Sequence, residues 1–206
     1  RTYTGDDPLD YDDVDNNFTN TQIDAFKQVA SKLDLPTSVA NSPATVNWPA
    51  SRNAWNRLGV GVYGGAVSTS QNLDIEIYPA MTLRSSVLAV RTIPAGEGIG
   101  YGQTWVASKP SKIATVGIGY ADGYPRHCKN GTPVMIRGKR AYLAGRVSMD
   151  MITIDVTHID NVAVGDEVEL WGQNVPIQEV AANADTIDYE LMTRVSQRVP
   201  RIVKCL

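Results

Sequence analysis

From about residue 80 onward, short apolar runs alternate with polar turns in the rhythm of an antiparallel β domain. The β-rich runs are Leu83 to Ile93, Lys112 to Tyr120, Pro133 to Ile136, Ala141 to Val147, Met151 to Val156 and Glu167 to Trp171. Turn-forming stretches such as Pro94-Ala95-Gly96-Glu97-Gly98 and Arg137-Gly138-Lys139 separate them. Ile177 to Ala184 and Tyr189 to Val195 read as two short helices, and Val199 to Cys205 as a last strand. Before residue 80 the texture differs. Ile23, Phe26, Val29, Ala30 and Leu33 make one apolar stripe at helical spacing, with Thr19 or Asn20 as the cap and Pro36 as the stop. Thr37-Ser38-Val39-Ala40 reads as a short buried strand, Asn41-Ser42-Pro43 as a turn, and Leu58 to Tyr63 as a second strand. That order suits an α/β barrel or a doubly wound sheet, and two strands complete neither. The predicted boundary is the Pro79 turn.

Composition narrows the class. A chain of 206 residues, 43% hydrophobic and 20% charged, is a folded protein of one or two domains rather than a disordered chain or a coiled coil. Its apolar runs all fall short of the roughly 18 residues of a membrane span. The start, Arg1-Thr2-Tyr3-Thr4-Gly5-Asp6-Asp7, lacks the apolar core of a signal peptide. Cys128 and Cys205 give no disulfide framework, so the expected compartment is reducing and cytoplasmic, with no membrane partner. The net charge is −3 and the Lys and Arg residues are scattered, which argues against nucleic acid as the partner. The run Arg137-Gly138-Lys139-Arg140 reads as a solvated hairpin turn. The six Asp between Asp6 and Asp15 lack the Gly and Glu that a calcium loop requires in register, and read as an exposed loop.

Gly59-Val60-Gly61-Val62-Tyr63-Gly64 matches G-x-G-x-x-G, but poor helix-forming residues follow it and no acidic residue closes a second strand beyond it. The nucleotide reading therefore fails, and a single phosphate bound by the Gly59 and Val60 amides survives. His127 and His158 are the only histidines, and neither has the companions for a metal site or a nucleophile triad. Any reaction here would use Tyr, Lys or carboxylates. Three segments are dense in residues that composition does not explain: Gly100 to Trp105, Gly117 to Arg126 and Gly145 to Met151.

At these segments the chain resembles the alanine racemases, pyridoxal-phosphate enzymes that interconvert L- and D-alanine. The resemblance continues through Ala40 to Ala44, Trp55 to Gly64, Met81 to Ser85 and Tyr189 to Arg194, in the family's order. It implies α/β plus β architecture: the last elements of a (β/α)₈ barrel over residues 1–80, binding pyridoxal phosphate, then a mostly antiparallel C-terminal β domain over residues 81–206. It also implies two-base proton transfer at Cα of alanine held on the cofactor, supplying D-alanine for peptidoglycan. Tyr101 matches one catalytic base. Arg57 matches the arginine that meets the pyridine nitrogen, where a guanidinium keeps that nitrogen unprotonated. Asn41, Ser42, Gly59 and Val60 match cofactor-binding positions, the last three around the phosphate. The main-chain N–H of Met149 matches a contact to the substrate carboxylate, with Asp150 beside it. Tyr120, Arg126 and Arg146 match the passage by which substrate arrives.

Two departures stand out. Gln197 occupies a phosphate-proximal position where some relatives carry Tyr. The family's cofactor-binding lysine and its Lys-Ala-Asn block do not occur, and the lysines at 27, 32, 109, 112, 129, 139 and 204 sit in no comparable setting. The chain is thus expected to be the C-terminal part of the enzyme, inactive without the N-terminal half. The resemblance further implies a homodimer in which Tyr101 serves the partner's cofactor. A serine or broader racemase, and a non-catalytic β-domain module, remain the alternative readings.

Overall fold

The computed structural model describes residues 17–65, 67 and 76–203. The Asp-rich run from Asp6 to Asp15, Lys204 and Cys205 lie outside these residues. The chain divides into two compact units, Arg1–Ala80 and Met81–Leu206.

In the first unit, α1 (Asn17–Ala30) and α2 (Ser42–Asn47) are joined by turns, with short 3₁₀ segments at Pro49–Ser51 and Val60–Tyr63. Thr19 and Asn20 fall inside the first turn of α1 rather than capping it. The helix stops at Ala30, well before Pro36, where Lys32 and Leu33 donate to the carbonyls of Val29 and Ala30 at 3.2 and 3.0 Å. Such i,i+3 bonds tighten a helix end without extending it. Of the apolar stripe, Ile23 is buried while Val29 and Leu33 are exposed.

Neither strand expected in this unit forms. The Trp55 N–H donates to Thr37 O at 3.2 Å and the Arg57 N–H to Ala40 O at 2.9 Å. Two bonds align these segments without making a ladder, and a parallel strand needs evenly spaced bonds along its length. Beyond Leu58 the chain curls into the Val60–Tyr63 turn, because the amides of Gly59 and Gly61 aim at the Ser42 hydroxyl. Asn41-Ser42-Pro43 is the cap and first turn of α2 rather than a free turn.

The second unit holds β1 (Leu83–Ile93), β2 (Gly98–Ile99), β3 (Trp105–Val106), β4 (Ser111–Val116), β5 (Pro133–Ile136), β6 (Lys139–Leu143), β7 (Ile152–Asp155) and β8 (Glu167–Trp171), followed by α3 (Ile177–Asn183) and α4 (Asp188–Arg194). Six strands close into an antiparallel barrel in the order β1-β4-β7-β6-β5-β8, and β2 pairs with β3 apart from it. One strand makes closure possible: β1 pairs with β8 over Leu83–Ser86 and with β4 over Val87–Ile93. Val87, Ile136, Leu143, Ile154 and Leu170 fill the interior. Trp171 is fully buried there and stacks on Tyr124, with ring centroids 6.1 Å apart. Helices α3 and α4 add Ile177, Val180 and Leu191 to the same core.

Three runs differ from expectation. The run predicted over Lys112 to Tyr120 ends at Val116, where Ile118 N–H turns back to Val116 O at 3.0 Å. The one predicted over Ala141 to Val147 spans Lys139–Leu143 instead. Arg137 and Gly138 both have positive φ (50° and 71°), so a two-residue turn lets Lys139 pair at once with Ile136. No strand forms over the described part of Val199 to Cys205, and Pro200 has no N–H to offer a ladder. No described helix is long and apolar enough to cross a membrane.

The barrel interior predicts a contrast. Leu143→Ala should destabilise the second unit by about 2–5 kcal/mol through the cavity it leaves. Val164→Ala, on a turn and 68% exposed, should change it by no more than about 0.5 kcal/mol. Urea midpoints of the two variants check this.

Candidate active site

The residues singled out in the first unit converge. Asn41 has an extended backbone, and its Oδ1 accepts the Ala44 N–H at 3.0 Å, capping α2 with Pro43 in the first turn. The cap holds Ser42 at the helix start, buried, with its Oγ accepting the N–H of Gly59 at 2.8 Å and of Gly61 at 3.4 Å. A hydroxyl that accepts twice keeps its own proton for a further acceptor. The Gly59 amide is thereby engaged, and the Val60 N–H is left without a partner among the described residues. Among the described residues, nothing lies within 4 Å of where a Gly59 side chain would begin. Arg57 is anchored to the strip before Asn41, donating to Ser38 Oγ at 2.9 Å and Val39 O at 3.2 Å. Its Nε–H has no partner among the described residues. The Val60 N–H, the Ser42 hydroxyl and the Arg57 Nε–H are thus donors, which is the chemistry a phosphate or an unprotonated ring nitrogen requires.

In the second unit the barrel register gathers the rest. Val116 pairs with Ile152, so the loop leaving β4 and the loop entering β7 emerge at one end of the barrel. There Tyr120 N–H donates to Ser148 O at 3.0 Å and Ala121 N–H to Met149 O at 2.9 Å. Gly119 makes the approach possible: a side chain there would overlap the carbonyls of Ser148 and Met149. Tyr101 sits between Gly100 and Gly102, both at positive φ, and the residue is 71% exposed. A side chain on Gly100 would lie 3.2 Å from Arg146 N, so the Tyr101 turn packs on the Gly145–Arg146 backbone. Asn130 ties the two, donating to Thr104 O at 2.8 Å and accepting the Gly145 N–H at 2.7 Å. Met149, Asp150, Arg126 and Arg146 are exposed around this end, and so is Gln197. Arg126 and Arg146 have no hydrogen-bond partner among the described residues.

The sequence did not single out Arg198, yet it joins two of these loops. Its Nε donates to Asp122 Oδ1 at 2.7 Å and its Nη2 pairs with Asp150. Asp122 also accepts the Gly119 N–H at 2.8 Å through Oδ2. Partial burial works to raise the Asp122 carboxyl, but the Arg198 guanidinium and the Gly119 amide outweigh it and hold the group below the usual carboxylate value. Cys128, by contrast, is pushed up to about 11 by burial, which leaves it a poor nucleophile.

Comparison with known proteins bears on both units. Residues 80–203 match the model of the alanine racemase C-terminal domain, and residues 8–67 that of the N-terminal domain. The chain belongs to the alanine racemase family. It is 87% identical over 195 residues to the alanine racemase of Alteromonas mediterranea, covering 95% of this chain and 54% of the relative. The biosynthetic alanine racemase of Pseudomonas aeruginosa is 42% identical with a TM-score of 0.84, over 90% of this chain and 52% of that one. The crystal structure of the alanine racemase of Bartonella henselae with covalently bound pyridoxal phosphate matches at 31% identity and a TM-score of 0.84, over 95% and 54%. The chain therefore spans about half the length of the racemases it matches.

Two outcomes follow from this geometry. Ser42→Ala leaves the Gly59 and Gly61 amides without their acceptor; with Gly59 exposed, water can replace the hydroxyl, so the loss is about 0.5–1.5 kcal/mol, read as faster hydrogen exchange at both. Asp122 has a folded-state value below its unfolded one, so it stabilises above about pH 4 and stops doing so as pH falls through the depressed value. Asp122→Asn should therefore be less stable than the parent near neutrality, with the gap closing in acid. Urea titrations across pH check the sign.

Proposed function

We propose that this chain is the C-terminal half of a pyridoxal-phosphate-dependent alanine racemase, its first 80 residues belonging to the cofactor-binding (β/α)₈ barrel. Family membership supports the reading, and so does the donor cluster at Ser42, Arg57 and Val60. When bound, the cofactor supplies the electron-withdrawing system that makes the Cα proton of alanine removable.

The chain's own residues do the rest. The Ser42 hydroxyl and Val60 N–H would hold the phosphate, with Gly59 leaving room for its approach and Asn41 fixing the loop. Arg57 donates to the ring nitrogen and, unable to give up a proton readily, keeps it unprotonated. Tyr101, raised on its glycine-flanked turn, takes the proton from one face of Cα or returns it there, and a lysine outside this chain serves the other face. The Met149 N–H holds the substrate carboxylate beside Asp150, while Tyr120, Arg126 and Arg146 line the approach. The working unit is a homodimer in which Tyr101 acts on the partner's site, in the cytoplasm, making D-alanine for peptidoglycan.

The test is the full-length protein incubated with pyridoxal phosphate and L-alanine, with D-alanine resolved by chiral chromatography. Its formation is expected. A protein that retains no cofactor and forms no D-alanine would instead be a binding module. Tyr101→Phe in the same protein should lower racemisation by about 10²–10⁴-fold while cofactor absorbance is kept. kcat/KM should fall by the same factor for L- and D-alanine, since the enantiomers are equal in free energy. The asymmetry should show instead in exchange of the Cα proton with solvent, which one base alone can sustain from one enantiomer.

A further inference from the structure

Resting on that reading, we propose that Arg198 is a positioning residue for substrate: it fixes the direction in which the Met149 N–H points at the substrate carboxylate. Ser148 C=O and Met149 N–H belong to the same peptide unit, and the described chain has no cis peptide bond. In a planar trans unit the two groups point in opposite directions. Ser148 O accepts the Tyr120 N–H at 3.0 Å, so the Met149 N–H is turned away from the Tyr120 loop. It has no partner among the described residues. Its aim is set entirely by how the two loops are held together.

Arg198 holds them together. Its Nε grips Asp122, whose other oxygen caps the Gly119 amide at the root of the Tyr120 loop. The neighbouring Nη2 grips Asp150, the residue following Met149. Ser196, two residues earlier, donates its N–H to Asp122 O at 2.9 Å, and a side chain on Gly123 would overlap Arg194 and Val195. The 194–198 segment is therefore docked on the Asp122 turn before its arginine reaches across. A rigid fork that engages two carboxylates at once is a role lysine fills only by half.

The test uses the full-length protein with Arg198→Ala and Arg198→Lys. Propionate, which keeps alanine's carboxylate and lacks its amine, is the binding probe. For Arg198→Ala, KM for alanine and Ki for propionate should both rise about tenfold, the share of one hydrogen bond to a charged group. The rise should be equal for L- and D-alanine, since both present the same carboxylate, and kcat should stay within about threefold. Arg198→Lys should fall between parent and Ala variant, and hydrogen exchange should quicken in residues 147–151. Faster exchange with unchanged KM and Ki would overturn the proposal, leaving Arg198 a purely structural clamp. Should Arg198→Ala fail to fold, unchanged constants in Arg198→Lys would overturn it equally. A parent protein that neither racemises alanine nor binds propionate would overturn the functional reading itself, and this inference with it.

Discussion

Closure of the barrel through β1 is the constraint on which the second unit depends. An extended strand rises about 3.3 Å per residue, so the eleven residues of Leu83–Ile93 reach far enough to serve two neighbours in succession. The register is irregular between Val87 and Ala89, near the point where pairing passes from β8 to β4. Closure removes the exposed edges that an open sheet would present. It also decides which loops share an end of the barrel. Because β4 and β7 are antiparallel neighbours with Val116 opposite Ile152, the Gly119–Asp122 turn and the Ser148–Asp150 loop meet over a few residues of backbone. No side-chain pairing is needed to bring them there.

Glycine placement then converts proximity into contact. At Gly119 the neighbouring loop lies where a side chain would be, and at Gly100 a side chain would be in tight contact with the Arg146 backbone. The site end of the barrel is thus built mainly from main-chain hydrogen bonds. Asn130 and the Asp122–Arg198–Asp150 chain act as the side-chain braces. Individually, exposed ion pairs contribute little to stability. A guanidinium that fastens two loops to one another has a different use, because what it controls is orientation rather than total free energy.

Much of this was legible in advance, for a physical reason. Leu83–Ile93, Pro133–Ile136 and Glu167–Trp171 are strands over the very residues where apolar content and turn signals place them, since turn-forming residues bound each apolar run. The first unit misleads the same method. Thr37 to Ala40 and Leu58 to Tyr63 have strand composition, but composition speaks to burial, and a parallel strand also requires partners that local sequence does not name. Asn41 and Ser42 were readable only by resemblance, whereas Gly59 and Val60 also stood out in the G-x-G-x-x-G run; hydrogen bonds tie Asn41 into the α2 cap and Ser42 to Gly59 and Gly61. Arg198 was missed altogether. It and Asp122 are far apart in sequence, and nothing in a Ser-Gln-Arg-Val-Pro segment announces which carboxylates its arginine will meet.

The Tyr124–Trp171 stack gives the barrel an optical signature. Of the four tryptophans, Trp171 alone is fully buried, whereas Trp55 is exposed and Trp48 and Trp105 are partly covered. An indole sealed in an apolar interior emits at shorter wavelength than one in water, and a tyrosine ring 6.1 Å away passes its excitation on efficiently. Blue-edge emission therefore belongs to the barrel and red-edge emission mainly to the first unit. The loss of each band on denaturation follows one unit without the other, with no label added.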